Sequence, residues 1–310
     1  MKYSVEELID IVRVETENED VSDTIGIKDP EIIRFLNIAQ RQIQSKVAAR
    51  SPETYTAIST LTADPDTENR VFSLPNDNYM RSTVDMVWVD GRPKKQVLAH
   101  NLNMKSNSCC NSNTCGFICY KYKENGYAIV GNKIHITGHC ARESAVRVKY
   151  IKVVPELQPA LLEIFPVTGV NLKGGEFPVD PSVSFDSSRI KPAKRYSLVD
   201  SNGDQVATNV KINSYDSSLG LLIFSTQNED RLLTTTENLY LMEGGNSSNY
   251  CFLEPMVQDY ITRYAIAKVL QRDGSEEYNV HSIDLVAILN EIIDSYSLNA
   301  PTTIPQYDED

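Results

Sequence analysis

Apolar residues in the first fifty positions recur at helical spacing. Ser4 and Glu7 form an S-x-x-E capping box at the start of a first helix. An apolar stripe follows at Val5, Leu8, Ile9, Ile11 and Val12. A second helix is predicted to begin at Asp29-Pro30, an N-cap residue followed by proline at the first helical position, and to end at Pro52. Its apolar residues step by four, three, four and four to give one continuous face: Ile32, Leu36, Ala39, Ile43 and Val47.

From Val71 to Val154 the apolar period shifts towards two, which is typical of β-strands. The segments with this period are "RVFSLP", "VDMVWVDGRPKKQ", "AIVGNKIHITG" and "SAVRVKYIKVV". Asp90-Gly91 and Gly131-Asn132 have the composition of hairpin turns. This part of the chain is therefore predicted to be a first, antiparallel β region.

Residues 166–249 combine short apolar segments with turn signals every eight to twelve residues, a rhythm that predicts a small β-sandwich. One turn, "DSNGD" (Asp200 to Asp204), resembles the start of a calcium loop. An EF-hand needs a bidentate Glu eleven positions after Asp200, where this chain has Lys211. A type I′ hairpin turn is the better interpretation.

Two amphipathic helices are predicted near the end of the chain. One begins at Glu254-Pro255, and its inward residues are Val257, Tyr260, Ile261, Tyr264 and Ala265. The other begins at Ser282, and its inward residues are Leu285, Ile288, Leu289, Ile292, Ile293 and Tyr296. The acidic, proline-containing tail 299–310 is predicted to be extended.

These elements predict an α+β protein with a discontinuous core. Residues 1–154 and 250–298 would form that core, because the helices at both chain ends are too short to be stable without a partner. They would pack on the antiparallel β region. Residues 160–249 would form an inserted all-β domain, and residues 299–310 a C-terminal tail.

The net charge limits the kinds of molecule that the protein is expected to bind. The net charge of −12 argues against nucleic acid as the main partner, because phosphate binding needs clusters of basic residues. The chain has no run of 18 apolar residues, so no membrane span is expected. The N-terminal "MKYSVEELID" has acidic residues where a signal peptide needs an apolar core, which predicts a protein that stays in the cytoplasm.

The stretch "SNSCCNSNTCGFICY" (Ser106 to Tyr120) holds four of the six cysteines, namely Cys109, Cys110, Cys115 and Cys119. With His135 and His139 it approaches the spacing of a zinc site. The two histidines lie on one strand-like segment about 13 Å apart, too far for one tetrahedral ion unless the chain bends. Bound metal and disulfides formed outside the cell remain alternatives, and free thiols in a polar loop are the favoured interpretation.

Catalytic motifs are missing from the sequence. It contains no glycine-rich phosphate loop, no G-x-S-x-G elbow, no H-E-x-x-H and no kinase-like set. Four histidines are a small supply of general bases, and His100 and His281 have no nucleophile near them in sequence. We therefore expect no enzymatic activity, no catalytic residue, no cofactor and no metal.

The order of the helical and strand motifs goes beyond composition. It runs from "LN-x-AQR-x-I" through "LP-x-D" and "V-x-DG-x-P" to a late "Y-x-x-x-x-A" helix. The matching residues are Leu36, Asn37, Ala39, Gln40, Arg41, Ile43, Leu74, Pro75, Asp77, Val89, Asp90, Gly91, Pro93, Tyr260 and Ala265. This order resembles the head-to-tail adaptor (connector ring) proteins of short-tailed bacteriophages, including the crAss-like group. The insertion of about 85 residues and the cysteine-rich loop are not part of the family pattern.

The resemblance implies a structural virion protein, assembled in the host cytoplasm, that joins capsid to tail. The implied partners are the portal protein, other tail or ring proteins, and further copies of the chain in a ring of about twelve. DNA would only pass through. The tail would bind the portal through Asn299, Ile304, Pro305, Tyr307, Asp308, Glu309 and Asp310.

The insertion is similar to bacterial immunoglobulin-like domains, which decorate phage structural proteins, although a β-insertion of another type remains open. A soluble carbohydrate- or protein-binding module built on this insertion is the alternative function. A metal-dependent regulator or enzyme is a third.

Overall fold

The computed structural model describes residues 3–17, 27–61, 71–75, 84–97, 126–136, 145–165, 168–179, 187–234, 238–251 and 253–298. Within these ranges it contains both helices and several β-sheets, so the predicted α+β class is confirmed. The chain divides into two compact units. One unit joins Met1–Ser51 to Val154–Asp310, and the other is Pro52–Val153.

The first unit contains the α-helices. They are α1 (Val5–Glu15), α2 (Asp29–Arg50), α3 (Pro255–Asp273) and α4 (Tyr278–Leu298), and a short 3₁₀ helix lies at Ser187–Arg189. The predicted capping box is present, because the Ser4 hydroxyl accepts from the Glu7 N–H (3.1 Å) and the Glu7 carboxylate accepts from the Ser4 N–H (2.7 Å). α2 begins one residue earlier than predicted, with Lys28 as its N-cap. The Asp29 carboxylate is paired with Arg13 of α1.

The helices from the two chain ends pack on one another. All five residues of the predicted apolar face of α2 are fully buried. The N-terminal residues run antiparallel to the segment before α3: the Val5 N–H donates to Asn249 O (2.8 Å) and the Cys251 N–H donates to Tyr3 O (2.9 Å). This backbone pairing brings α1 and α3 together, as the amphipathic patterns required.

α3 and α4 differ from the prediction in part. The predicted inward residues of α3 are buried except Tyr264, which is half-buried. α4 begins at Tyr278, four residues before the predicted Ser282. Of its six predicted inward residues only Ile292 is buried, and the other five are half-buried. α4 packs against α2 and α3 along one side, and much of its apolar surface faces away from them.

The second unit begins with a 3₁₀ helix (Pro52–Tyr55) and is built on a seven-stranded sheet. Its strands are β1 (Thr56–Leu61), β2 (Val71–Ser73), β3 (Val84–Val89), β4 (Arg92–Gln96), β5 (Gly126–Val130), β6 (Lys133–Ile136) and β7 (Val146–Ile151). The order is β1-β7-β3-β4-β5-β6-β2, and every pair is antiparallel except β4 and β5. Residues 98–125, which include the cysteine cluster, connect this parallel pair.

The predicted alternation is visible across this sheet. On β7, Val146, Val148 and Tyr150 are buried, and the residues between them are more exposed. Both predicted hairpins are present. Asp90 and Gly91 have positive φ angles of 51° and 79°, which a type I′ turn requires, and Gly131 has φ of 65°.

The remaining strands belong to the first unit. They are β8 (Glu156–Leu157), β9 (Ala160–Ile164), β10 (Thr168–Asn171), β11 (Glu176–Pro178), β12 (Tyr196–Val199), β13 (Gln205–Val210), β14 (Ile212–Asp216), β15 (Leu221–Phe224), β16 (Leu232–Thr234), β17 (Leu239–Glu243) and β18 (Ser247–Ser248). A four-stranded sheet, β13-β12-β17-β9, and a three-stranded sheet, β11-β15-β14, contribute to one hydrophobic core. Two facing sheets around a shared core form a β-sandwich.

The predicted type I′ turn at "DSNGD" is wrong in detail. A hairpin is present, since the Asp200 N–H donates to Asp204 O (3.0 Å). Only Gly203 has a positive φ (83°), whereas a type I′ turn needs two such residues. The Asp200 carboxylate accepts from the N–H groups of Asn202 and Asp204 (2.9 and 2.8 Å), which favours the longer loop.

The two compact units divide the chain differently from the predicted domains. The prediction joined the helices to the first β region, as residues 1–154 and 250–298, and set residues 160–249 apart. In the structure, Pro52–Val153 forms a unit of its own, and the helices share a unit with the sandwich. The segment 154–157 makes that connection, because it hydrogen-bonds to α2 on one side and to β18 on the other.

Candidate interaction surface

Three polar residues of α2 hold a strand of the same unit. Asn37 donates to Leu157 O (2.9 Å) and accepts from the Leu157 N–H (2.8 Å). Gln40 donates to Pro155 O (2.7 Å), and Arg41 pairs with the Glu156 carboxylate. Asn37, Gln40 and Arg41 belong to the "LN-x-AQR-x-I" motif, so these three motif residues fix the segment that leads into the sandwich.

α4 carries an exposed apolar surface. Val280, Ile283 and Val286 are 63%, 71% and 62% exposed. Because the cost of leaving apolar side chains in water scales with their exposed area, a cluster of this kind on a helix is a candidate contact with another molecule. This surface is the feature of the described residues that most favours a protein partner.

The same side of α4 is acidic. Asp284, Glu291 and Asp294 are exposed, and the helix contains no lysine or arginine. Helical spacing places Asp284 and Glu291 at i+4 from the apolar residues Val280 and Ala287, and Asp294 at i+3 from Glu291. We call these six residues, Val280, Ile283, Asp284, Ala287, Glu291 and Asp294, the α4 outer face.

α2 presents a surface of opposite charge. Arg34, Arg41, Lys46 and Arg50 are exposed, and no acidic residue follows Glu31 in this helix. Between the basic residues, Ile38 and Ser45 lie in a shallow depression with mainly apolar walls. We call these six residues, Arg34, Ile38, Arg41, Gln42, Ser45 and Lys46, the α2 outer face.

The residues predicted to bind a portal lie outside the described residues. They are Asn299, Ile304, Pro305, Tyr307, Asp308, Glu309 and Asp310. The described chain ends at Leu298, the last residue of α4. The predicted binding segment therefore follows directly from the helix that carries the exposed apolar surface, and its portal contact stays a prediction.

The proposed metal ligands are only partly described. His135 lies on β6 opposite Val71. Burial, helped by the nearby Lys133 charge, lowers the pKa of its imidazole, so the ring is neutral at physiological pH. His139, Cys140 and the four clustered cysteines lie outside the described residues. Within the described ranges, no group of three or more His, Cys, Asp or Glu side chains is placed to hold an ion.

Cys251 is a buried residue of the first unit. Its side chain is fully buried beside Gln40, with 4.0 Å between the Cys251 sulfur and Gln40 Oε1. Burial raises the pKa of the thiol to about 11, so the group is protonated and a poor nucleophile at neutral pH. The geometry therefore favours packing over chemistry at this cysteine.

Sequence reasoning missed both outer faces. The sequence signal for the α2 outer face was its three basic residues, which are unusual in a chain of net charge −12. The α4 outer face had a weaker signal, because apolar residues surround most of that helix and do not define one side. None of the helices in the described part of the chain has the length and apolarity to cross a bilayer.

Comparison with known proteins adds no relative to these observations. The sequence matches no protein-family model, and it matches none of the curated proteins at a significant level.

Proposed function

We propose that the protein is a structural virion protein, a head-to-tail connector ring that binds beneath the portal and joins capsid to tail. The observation that carries the proposal is the α4 outer face, an exposed apolar and acidic surface next to the acidic C-terminal tail. Exposed apolar surface of this kind suits a protein whose working state is an assembly.

The hydrogen bonds of the helical unit also support a scaffold role. Residues 3–5, before and at the start of α1, pair with residues 249–251, before α3. α2 holds the segment 154–157. This arrangement fixes the position of the sandwich relative to the helices within one unit, through side chains that match the adaptor pattern. A subunit that presents a decorating domain at a constant position in a ring needs such a rigid connection.

The assembly has a defined symmetry in this proposal. About twelve copies associate through two different surfaces, so the contact is heterologous and closes by rotation. The segment 299–310 spans at most about 40 Å when extended, far enough to reach a neighbouring protein and to become ordered there. The acidic surface of the ring lets DNA pass without binding.

The test is co-purification with the portal protein encoded in the same genome. The full chain should bind the portal, and a variant that lacks residues 299–310 should lose that binding. The truncated variant keeps α4 intact, so unchanged helix content would show that the loss is local. Unchanged portal binding by the truncated variant would contradict the role of the tail.

The sandwich supports a second candidate function, a carbohydrate- or protein-binding module. It has a hydrophobic core shared by its two sheets, and Leu219 and Leu232 are exposed on its surface. Glycan and protein arrays probed with the whole protein test this function. Binding that a change at Leu219 or Leu232 abolishes, without any effect on portal binding, would favour the module.

A further inference from the structure

The α2 and α4 outer faces have opposite charge, and each has uncharged residues along its centre. Ile38 and Ser45 lie along the centre of the α2 outer face and are flanked by basic side chains. Val280 and Ala287 lie along the centre of the α4 outer face, between Asp284 and Glu291 on one side and Asp294 on the other. An apolar row on one helix and a shallow depression on another suit ridges-into-grooves packing.

We infer that the α4 outer face of one copy packs against the α2 outer face of the next copy, head to tail. This inference rests on the proposed ring and identifies its contact surfaces. The occupant of each face is a second copy of this chain, because the charges that each face needs are present on the other.

Charge favours a contact of α4 with α2 over a symmetric contact between two copies of the same face. The chain carries a net charge of −12, so copies repel one another unless surfaces of opposite sign meet. A contact between two α4 outer faces would bring six carboxylates together, and a contact between two α2 outer faces would do the same with basic groups. A contact of α4 with α2 pairs Asp284, Glu291 and Asp294 with a basic surface.

The basic groups of α2 differ in their availability. Arg41 is paired with Glu156 of its own chain, and the Arg34 guanidinium lies over the Phe35 ring at 5.8 Å. Lys46 is exposed in the C-terminal half of the helix. Lys46 also lines the depression that would receive an apolar side chain of α4, so it is the principal charge of the contact.

One such contact is small, so we expect stable assembly only when the ring closes. One pair of crossing helices buries less than the roughly 1,200–2,000 Å² of a stable protein interface. A single contact is therefore weak. In a closed ring each copy makes two such contacts, and no copy can leave without breaking both. Association is expected to be steep in concentration and to weaken as salt increases.

Charge reversal in the full chain tests the inference. One variant carries Arg34→Glu and Lys46→Glu, which changes the charge of the α2 outer face from +3 to −1, and a second carries Asp284→Lys and Glu291→Lys, which changes that of the α4 outer face from −3 to +1. All four residues are exposed, so both variants should keep the helix content of the wild type. Lys173→Glu, on a half-exposed residue outside both faces, is the matched control.

Sedimentation at low salt distinguishes the outcomes. Each variant alone should self-associate at least about tenfold more weakly than wild type. An equimolar mixture of the two should assemble, and so should a chain that carries all four changes, because opposite charges then meet again. The control should behave like wild type.

Three results would overturn the inference. The first is two variants that each assemble like wild type, and the second is a mixture that stays dissociated. The third is competition by a peptide of residues 299–310 for the α2 outer face, which would make the tail its occupant. A failed connector role gives a different result: charge reversal still controls self-association, but no form of the chain binds the portal.

Discussion

The side chain of Asn37 pairs with the backbone of Leu157 as a neighbouring β-strand would, donating to its carbonyl and accepting from its N–H at 2.9 and 2.8 Å. The N–H groups on either side, of Glu156 and Gln158, donate instead to Asn246 and Ser248 on the β18 side. β8 therefore has a β-ladder on one edge and a helix side chain on the other. Both edges of this short strand are satisfied.

Asn37→Ala should destabilise the protein by about 2–4 kcal/mol, because it leaves the buried Leu157 N–H and carbonyl without partners. The measurement is the free energy of unfolding in urea. Ser45→Ala, on an exposed residue of the same helix, is the control and should change that value by less than about 0.5 kcal/mol. Equal effects of the two substitutions would contradict the role of Asn37.

Gly203→Ala should cost more stability than Gly169→Ala, although both glycines have positive φ angles, 83° and 70°. A Cβ at Gly203 would lie 2.7–2.9 Å from atoms of the Tyr250 side chain, whereas a Cβ at Gly169 meets nothing within 4 Å. We expect about 1–2 kcal/mol from backbone strain at Gly169 and about 1–3 kcal/mol more at Gly203. Thermal unfolding of the two variants checks this order, which an equal loss of stability would contradict.

Alkaline pH should weaken the fold through Cys251. Burial raises the pKa of this thiol from an ordinary value of 9.0 to about 11. Between these values the unfolded chain loses the proton and the folded chain keeps it, so the free energy of unfolding falls as pH rises. The contribution is nearly complete at pH 8 and about 2 kcal/mol smaller by pH 11.

Cys251→Ala removes this pH dependence, so a comparison of wild type with this variant isolates the contribution of the thiol. Tyrosines with raised pKa values, such as Tyr296 (about 12, through burial and the nearby Glu254 carboxylate), affect both proteins equally. The difference in unfolding free energy between wild type and Cys251→Ala should therefore change across pH 9–11. A difference that stays constant over this window would show that the thiol does not titrate there.

Thiol labelling should separate Cys251 from the other cysteines. The chain has six cysteines, and if all but the buried Cys251 are free thiols, five should react rapidly in the native protein. Wild type and Cys251→Ala should then give the same native count, and wild type one more after denaturation. A native count below five that reductant restores would indicate disulfides, and one that a chelator restores would indicate metal.

Much of the helical fold follows from local pattern. The α2 face from Ile32 to Val47 and the Ser4–Glu7 capping box depend on residues a few positions apart, and both are present as predicted. The partners of Asn37 and Gln40 lie 120 and 115 positions away. No period or motif encodes such a distance, so these polar residues could be placed in a pattern but not given a role.

The candidate surface was less predictable for a related reason. Hydrophobic periodicity shows which residues of a helix are apolar, but it does not show which of them a neighbour covers. Ile292 is fully buried and Leu285 is half-buried, while Ile283 is exposed on the same helix. A helix that is apolar around most of its surface has several possible inward directions, and tertiary packing selects among them.

Electron microscopy of the protein co-expressed with its portal tests the central claim most directly. The account predicts a closed ring of about twelve copies bound to one end of the portal. Averaged images should show this ring for the full chain and for the Lys173→Glu control. A bare portal that separates from a monomeric protein, at concentrations where both are folded, would contradict the connector function.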